Sequence, residues 1–438
     1  MSATSHQEKV PSDEEGQGPA SPEAKDTSSA DEIFSDNDKY GPAPDGGLRA
    51  WLVAVGGACT TFACLGFTNS FGVFQEYYMT HQFAGESPDK IAWIGSLSIF
   101  IQFAGGAVAG PLFDRYGAWV IRPAAIAYVL SVMLTSLCYE YWHFMLCQGV
   151  FMGICMSVLQ FPAFAAVTQY FEKKRAAALG IVLAGSSIGG IIFPIALSKM
   201  LNSSNLGFGW SVRIMGFLIT PLMLFACVAI TARLPPRKTS FLLPSAFKDT
   251  RYNLLITALF FSFLGMMTPL FFLPAYAVTR GIDPTLASYL LAILNGASTF
   301  GRVIPGILAD KYGKINVFAL GSLGTGIVVL CMNAATSIAG LVVYSIAIGF
   351  ASGTIISGAT AAFTACTDNP RNLGTYMGMG IAVGSIAALI GPPVNGALVH
   401  RYAGFLELSL FSGVMCLFGG VMAFASKGAT TQGLWGRT

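Results

Sequence analysis

Charge is what this chain has least of. Only 11% of its residues are Asp, Glu, Lys or Arg, against about 25% in soluble domains. With 54% of 438 residues hydrophobic, a water-soluble fold could not hide so much apolar surface. Lipid is the solvent that fits. Histidine is scarcer still, with four residues. Only His143 and His400 fall near the ends of apolar stretches, too far apart in sequence to suggest a metal pair. Paired intramembrane aspartates are missing, and so is a G-x-x-x-x-G-K-[ST] phosphate loop, which argues against an intramembrane enzyme and an ATP-driven pump. The nine cysteines are odd in number and contain no C-x-x-C pair. Cys138 and Cys147 flank a short turn and could be bridged, but small core residues are the better reading. No metal, cofactor or catalytic activity is expected.

The little charge there is has a pattern. The first 50 residues hold 11 of the 22 acidic residues and four basic ones, leaving 21 basic and 11 acidic residues for the remainder. The Ser-, Asp-, Glu-, Gly- and Pro-rich stretch 1–49 cannot bury enough surface to fold and is expected to be a disordered acidic tail. The later basic excess lies between apolar segments, which points to membrane topology rather than nucleic acid.

A bilayer core of about 30 Å takes about 20 apolar residues per helix. At that length, spans are expected near 51–75, 92–113, 118–138, 143–167, 176–199, 212–233, 253–278, 285–309, 315–335, 338–365, 374–399 and 403–426. The fold class is therefore an all-α polytopic membrane protein with twelve transmembrane helices. "RLPPRKTSFLLPSAFKDTR", Arg233–Arg251, divides them six and six. The expected organisation is a tail (1–49), a first bundle (50–233), a cytoplasmic linker (234–252), a second bundle (253–426) and a cytoplasmic tail (427–438). With both termini inside, about 15 of the 21 basic residues fall on the cytoplasmic side, as the positive-inside rule requires.

"GPLFDRYGAW" after the second span matches "GILADKYGKI" after the eighth, 196 residues later. Gly110 pairs with Gly306, Asp114 with Asp310, and Arg115 with Lys311. Two homologous six-helix halves explain the repeat. This pattern resembles the signature of the major facilitator superfamily. Two further stretches narrow the resemblance to its monocarboxylate porter family, in a fungal form. "PDGGLRAW" carries Asp45, Gly46 and Gly47 ahead of the first span, and "YFEKKRAAALG" carries Lys174 and Arg175 ahead of the fifth. The resemblance implies pseudo-symmetric bundles, alternating access, a small organic solute and a plasma-membrane location. Gating contacts are expected between Asp310 and the Lys174/Arg175 cluster, and between Asp114 and Arg371.

One charge stands apart. Arg302 lies eight residues before Asp310, about 12 Å along a helix, and so near the bilayer midplane. A charge at that depth is costly and should face a water-filled cavity. Its counterpart in the first half is Gly106, so the repeat does not demand it. No Asp or Glu is expected at midplane depth to pair with it. Guanidinium suits a carboxylate, and the resemblance implies the same role for an arginine in the eighth helix. Ser298 and Asn295 lie one and two turns earlier on roughly the same face. Gln160 and Gln102 are deep in the fourth and second spans. Phe261, Phe271 and Tyr276 are candidate cavity walls, with a lipid-facing role equally open.

The sequence departs from proton-coupled animal members of that family where Asn69 stands for a lysine and Ser298 for an aspartate. The proton remains a candidate coupling ion without an assigned carrier. The expected function is secondary-active transport of a carboxylate-bearing metabolite, a monocarboxylate or a secondary metabolite, with efflux a candidate direction. A riboflavin-like vitamin uptake carrier and a non-transporting nutrient receptor on the same scaffold are the alternatives.

Overall fold

The structure is a computed structural model that describes residues 43–172, 174–235, 243–364, 366 and 373–429, without the side chains of residues 175, 176, 310, 373 and 374. Of the expectations above, the tail before residue 43, much of the linker, the C-terminal residues from 430 and Arg371 lie outside the described residues, as do the side chains of Arg175 and Asp310.

What is described is helical, in one compact unit from Ala43 onward. Eleven helical stretches are long and apolar enough to cross a bilayer, against twelve expected. The difference lies at residues 88–135. Pro88–Ala104 is 17 residues long and is interrupted at Gly105, whereas Gly106–Tyr116 runs through a 3-10 turn into Ile121–Thr135. Backbone bonds from Gly105 N to Ile101 O (2.9 Å) and from Ala109 N to Gly105 O (2.8 Å) carry the helix across the first interruption. The chain reverses at Gly117, whose φ of +62° suits glycine. Residues 88–116 thus make one crossing and Ile121–Thr135 the next.

Numbered by crossing, α1 is Gly47–Gln82, α2 is 88–116, α3 Ile121–Thr135, α4 Tyr141–Tyr170, α5 Arg175–Asn202 and α6 Gly207–Ala229. The second bundle has α7 Thr250–Thr279, α8 Pro284–Tyr312, α9 Lys314–Ala334, α10 Ile338–Phe363, α11 Leu373–Tyr402 and α12 Leu406–Gly428. The end holding Asp45, Tyr116 and Tyr312 is called the motif end here, and the opposite one the far end.

Local chemistry sets several helix starts. Asp283 accepts from the N–H groups of Thr285 (2.9 Å) and Leu286 (3.3 Å) ahead of Pro284, and Asp249 and Ser337 cap α7 and α10 in the same way. Apolar side chains such as Val108, Phe217, Val228, Ile307 and Val343 are exposed, as a lipid-facing surface requires. Arg122 lies 4.7 Å from the Trp119 ring near the motif end, and Arg213 lies 5.1 Å from Trp210 near the far end, matching the aromatic and cationic belts of a bilayer interface.

Inside lipid, close packing replaces the hydrophobic drive between helices, so small residues mark the contacts. A Cβ on Gly66 of α1 would sit 2.6 Å from the Gly189 Cα of α5, and one on Gly353 of α10 would sit 2.5 Å from the Ser298 carbonyl of α8. Across the two bundles, α5 packs on α8 and α2 on α11. That seam is tight at the far end. A Cβ on Gly72 would run into the Leu270 carbonyl, and one on Gly396 would lie 2.5 Å from the Asp89 backbone. Phe71 packs on Phe271 with ring centroids 5.0 Å apart, and the Ser203 and Thr285 hydroxyls meet at 3.0 Å. Toward the motif end, a Cβ on Gly110 of α2, Gly180 of α5 or Gly378 of α11 would meet nothing within 4 Å. No close helix approach is made at Gly110 in this conformation, and a Cβ on Gly306 would meet only the Ser357 side chain, at 3.9 Å.

One other expectation changes, and the reading of the cysteines as unbridged stands. Helix α1 does not end near residue 75 but continues through a π-helical turn to Gln82, 36 residues in all, about 54 Å at 1.5 Å per residue. That brings Glu76 inside it. All nine cysteines, Cys138 and Cys147 included, are free.

Candidate functional site

Arg302 reaches across the seam. Its Nη1 donates to the Ser186 hydroxyl of α5 at 2.8 Å, so the two bundles are joined at mid-depth by one charged donor. Its Nε is buried with no hydrogen-bond partner. An unsatisfied guanidinium N–H in an apolar surround is costly and marks where an acceptor would be welcome. One and two turns toward the far end, Ser298 and Asn295 are both buried. The Asn295 amide donates to its own helix at Leu291 O (2.9 Å), and its Cγ lies 2.6 Å from where a Cβ on Gly190 would stand. Glycine at position 190 thus leaves the space that Asn295 occupies.

The polar residues of the first bundle form a separate group. The Thr68 hydroxyl lies 2.9 Å from Gln102 Oε1, and Gln102 Nε2 donates to Gln160 Oε1 at 2.7 Å. Asn69 is half-buried and makes no side-chain hydrogen bond among the described residues. Beside them a small cavity of about 10 Å³, lined by Thr68, Ser98, Gln148 and Met156, has room for about one water. It cannot take an organic solute. No hydrogen bond joins this group to Arg302 among the described residues.

Phe271 and Tyr276 are packed rather than lining. Phe271 seals the far-end seam, and the Tyr276 hydroxyl donates to Ala335 O at 3.2 Å while its ring packs on Phe405. Phe261 lies against Phe418 of α12.

At the motif end the two lead-in stretches meet. The Asp45 carboxylate accepts from the Glu172 N–H at 2.7 Å and the Lys174 N–H at 3.2 Å, and the Asp45 N–H donates to Tyr170 O. Asp45 and Gly47 both have positive φ, +49° and +83°, which lets the chain fold back onto the α4–α5 corner. Gly46 between them is extended. Trp51 then packs on Phe171, ring centroids 4.9 Å apart. Arg115 and Lys311, at matching places in the repeat, lie over the neighbouring rings of Tyr116 and Tyr312 at 5.6 and 5.3 Å. Asp114 is half-buried.

Two internally repeated six-helix halves with a shared seam are the architecture against which known proteins can be compared. The family model described as Major Facilitator Superfamily matches residues 57–332 and 255–433. The chain belongs to the Major Facilitator Superfamily. Similar proteins within it include fungal ones. One is the aspyridones efflux protein of Emericella nidulans, 50% identical over 386 residues, 88% of this chain and 79% of that one. Another is the agnestins efflux protein of Paecilomyces divaricatus, 40% identical over 394 residues, 88% of this chain and 89% of that one. The fujikurins efflux protein of Gibberella fujikuroi is 37% identical over 420 residues, 94% and 89% of the two chains. Among solved structures, a bacterial homologue of the human lysosomal transporter Spinster, inward-facing and unoccupied, matches with a TM-score of 0.68 at 17% identity over 90% of this chain and all of that one. The nucleoside transporter NupG matches with a TM-score of 0.68 at 13% identity over 87% of this chain and all of that one.

Sequence reasoning found Arg302 but not its partner. Ser186 lies in "AGSSIGG", which reads as a small-residue packing stretch; the signal available was only that α5 is the helix expected to face α8.

Proposed function

We propose that this member of the superfamily exports a small organic metabolite bearing an acidic group, by alternating access between its two bundles. The observation that carries the reading is Arg302, a mid-depth guanidinium on the seam whose Nε–H lacks an acceptor. A carboxylate offers two oxygens in the plane of that fork. Ser186, Ser298 and Asn295 are the neutral residues around it, and Asn69, Gln102 and Gln160 the polar wall opposite. Export follows the fungal relatives named above as efflux proteins. The motif end faces the cytoplasm on the distribution of basic residues, so the conformation described is closed to the outside. In the same reading, Asp114 with Arg371 and Asp310 with the Lys174/Arg175 cluster form the inner gate, with Gly110 and Gly306 allowing the helices to close. The membrane is the plasma membrane, and the monocarboxylate porters are the branch whose lead-in motifs the chain carries.

The test is binding to purified protein. Hydrophobic carboxylic acids and their primary amides are compared for thermal stabilisation of the intact protein and of Arg302→Ala. A ligand at about 100 times its Kd raises stability by about 2.7 kcal/mol. Acids are expected to stabilise the intact protein and to lose that effect in the variant, with amides inert in both. Equal stabilisation by acids and amides would contradict the reading.

A further inference from the structure

Glu76 is the only acidic side chain that is buried among the described residues, 5% exposed. It lies in the far-end part of α1, one turn after Gly72, so the two share a helix face. That face presses on α7, since the place of a Gly72 Cβ is taken by the Leu270 carbonyl. Phe71 against Phe271 closes the same contact from beside it. Glu76 therefore sits between the bundles where they are shut.

No hydrogen bond or ion pair reaches the Glu76 carboxyl among the described residues. The titratable and charged groups on its own segment and on the elements packed against it are all otherwise accounted for. Tyr77 stacks on His81, Tyr78 donates to Gln148 at 2.8 Å, and Lys90 pairs with Glu86 at 2.8 Å. Asp89 and Tyr289 make no bond to it, Lys199 is exposed, Asp283 caps α8 and Tyr276 bonds Ala335. Arg280 lies over the Tyr276 ring at 5.1 Å.

We infer that Glu76 is a proton-binding site that couples closure of the far end to proton uptake. Burying an ionised carboxylate without a counter-charge or donor is costly, so the seam shuts on the neutral acid. Opening that end wets the carboxyl, which releases its proton to the water on the same side. The closed state binds one more proton than the open one, so acid on the far side favours closure and alkali favours opening. The balance is one proton taken from far-side water per closure and returned on opening. This rests on the alternating-access reading above and on nothing about the transported solute.

The experiment reads conformation in the full-length protein with no solute present. Fluorophores carried on noncanonical amino acids replace Tyr139 and Ile338, exposed far-end positions on opposite bundles, and single-molecule energy transfer follows their separation in lipid nanodiscs. From about pH 5 to about pH 8, the separated population of the otherwise unaltered protein is expected to grow several-fold. Glu76→Gln, neutral and of the same shape, is expected to stay closed throughout, and Glu76→Asp to keep a pH response. Because no solute is present, failure of the acid-site reading leaves this result legible. A Glu76→Gln protein that opens with pH as the parent does would overturn the inference, as would a parent that does not respond.

Discussion

The Asp45 carboxylate and the Lys174 backbone are 129 residues apart in sequence and bound at 3.2 Å, with Glu172 N–H on the same oxygen at 2.7 Å. This joins the stretch of chain leading into α1 to the turn that leads into α5. Those are the helices that pack through Gly66 and Gly189. Asp45 thus caps the α4–α5 turn from elsewhere in the chain. Its negative charge also lies at the positive end of the α5 dipole.

Replacing that cap should cost stability without touching the seam. Asp45→Ala is expected to lose about 1–2 kcal/mol, with added strain because alanine is less tolerant of positive φ. Asp45→Asn keeps an acceptor and should lose less. Melting of the purified protein ranks the two, and equal losses would mean the carboxylate is not capping.

The Ser186 contact predicts a second effect. Ser186→Ala removes the one acceptor of Arg302 among the described residues and leaves a buried charged donor unpaired, which should cost about 1–3 kcal/mol. Adding an acidic ligand should recover part of that loss, because a carboxylate satisfies the same guanidinium. Denaturation with and without ligand checks both halves of the expectation.

Seam glycines should act in opposite directions according to their end. A methyl group at Gly72 or Gly396 has no room in the conformation described here, so Gly72→Ala or Gly396→Ala should push the far end open. The same change at Gly110, Gly180 or Gly378 meets open space. It should leave this conformation intact and hinder only closure of the motif end. Labelling of a cysteine placed at Thr285 by a membrane-impermeant maleimide reports the first effect as a faster reaction in the far-end variants.

A polar triangle in the second bundle gives a fourth expectation. Asn395 Nδ2 donates to the Thr268 hydroxyl at 2.7 Å, that hydroxyl meets Ser412 at 2.6 Å, and Ser412 donates back to Asn395 Oδ1 at 3.0 Å. All three are buried, and they tie α7, α11 and α12 together beside the interruption of α7 at Met267. Asn395→Leu removes two of the three hydrogen bonds and leaves only the Thr268–Ser412 contact, which should cost about 1–3 kcal/mol, read as earlier melting. Asn395→Gln, one methylene longer, should not restore it in so tight a site.

The spans were legible because hydropathy over about 20 residues is a strong signal, and the repeat around Gly110 and Gly306 divided them. The far third of α1 was not. Gln75, Glu76 and Thr80 look like a loop in sequence, and only packing against α7 makes them helix. The interruption at Gly105 was equally hidden, because one glycine among many carries no mark of which will break a helix. Arg302 was legible as the only charge among some twenty apolar neighbours. Ser186 was not, since two serines in a small-residue stretch serve helix packing just as well. The Asp45 cap escaped notice because sequence gives no distance between residues so far apart. The expected gate contacts of Asp114 with Arg371 and of Asp310 with Lys174 and Arg175 involve Arg371 or side chains outside the described residues.

The most direct test of the account is flux through proteoliposomes, with each carboxylic acid paired with its amide and the intact protein compared with Arg302→Ala and Arg302→Lys. The account predicts that acids move and amides do not, that Arg302→Ala inserts normally yet carries no acid, and that Arg302→Lys keeps only part of the rate because it lacks the planar fork. Amides moving as fast as acids, with Arg302→Ala unimpaired, would contradict it.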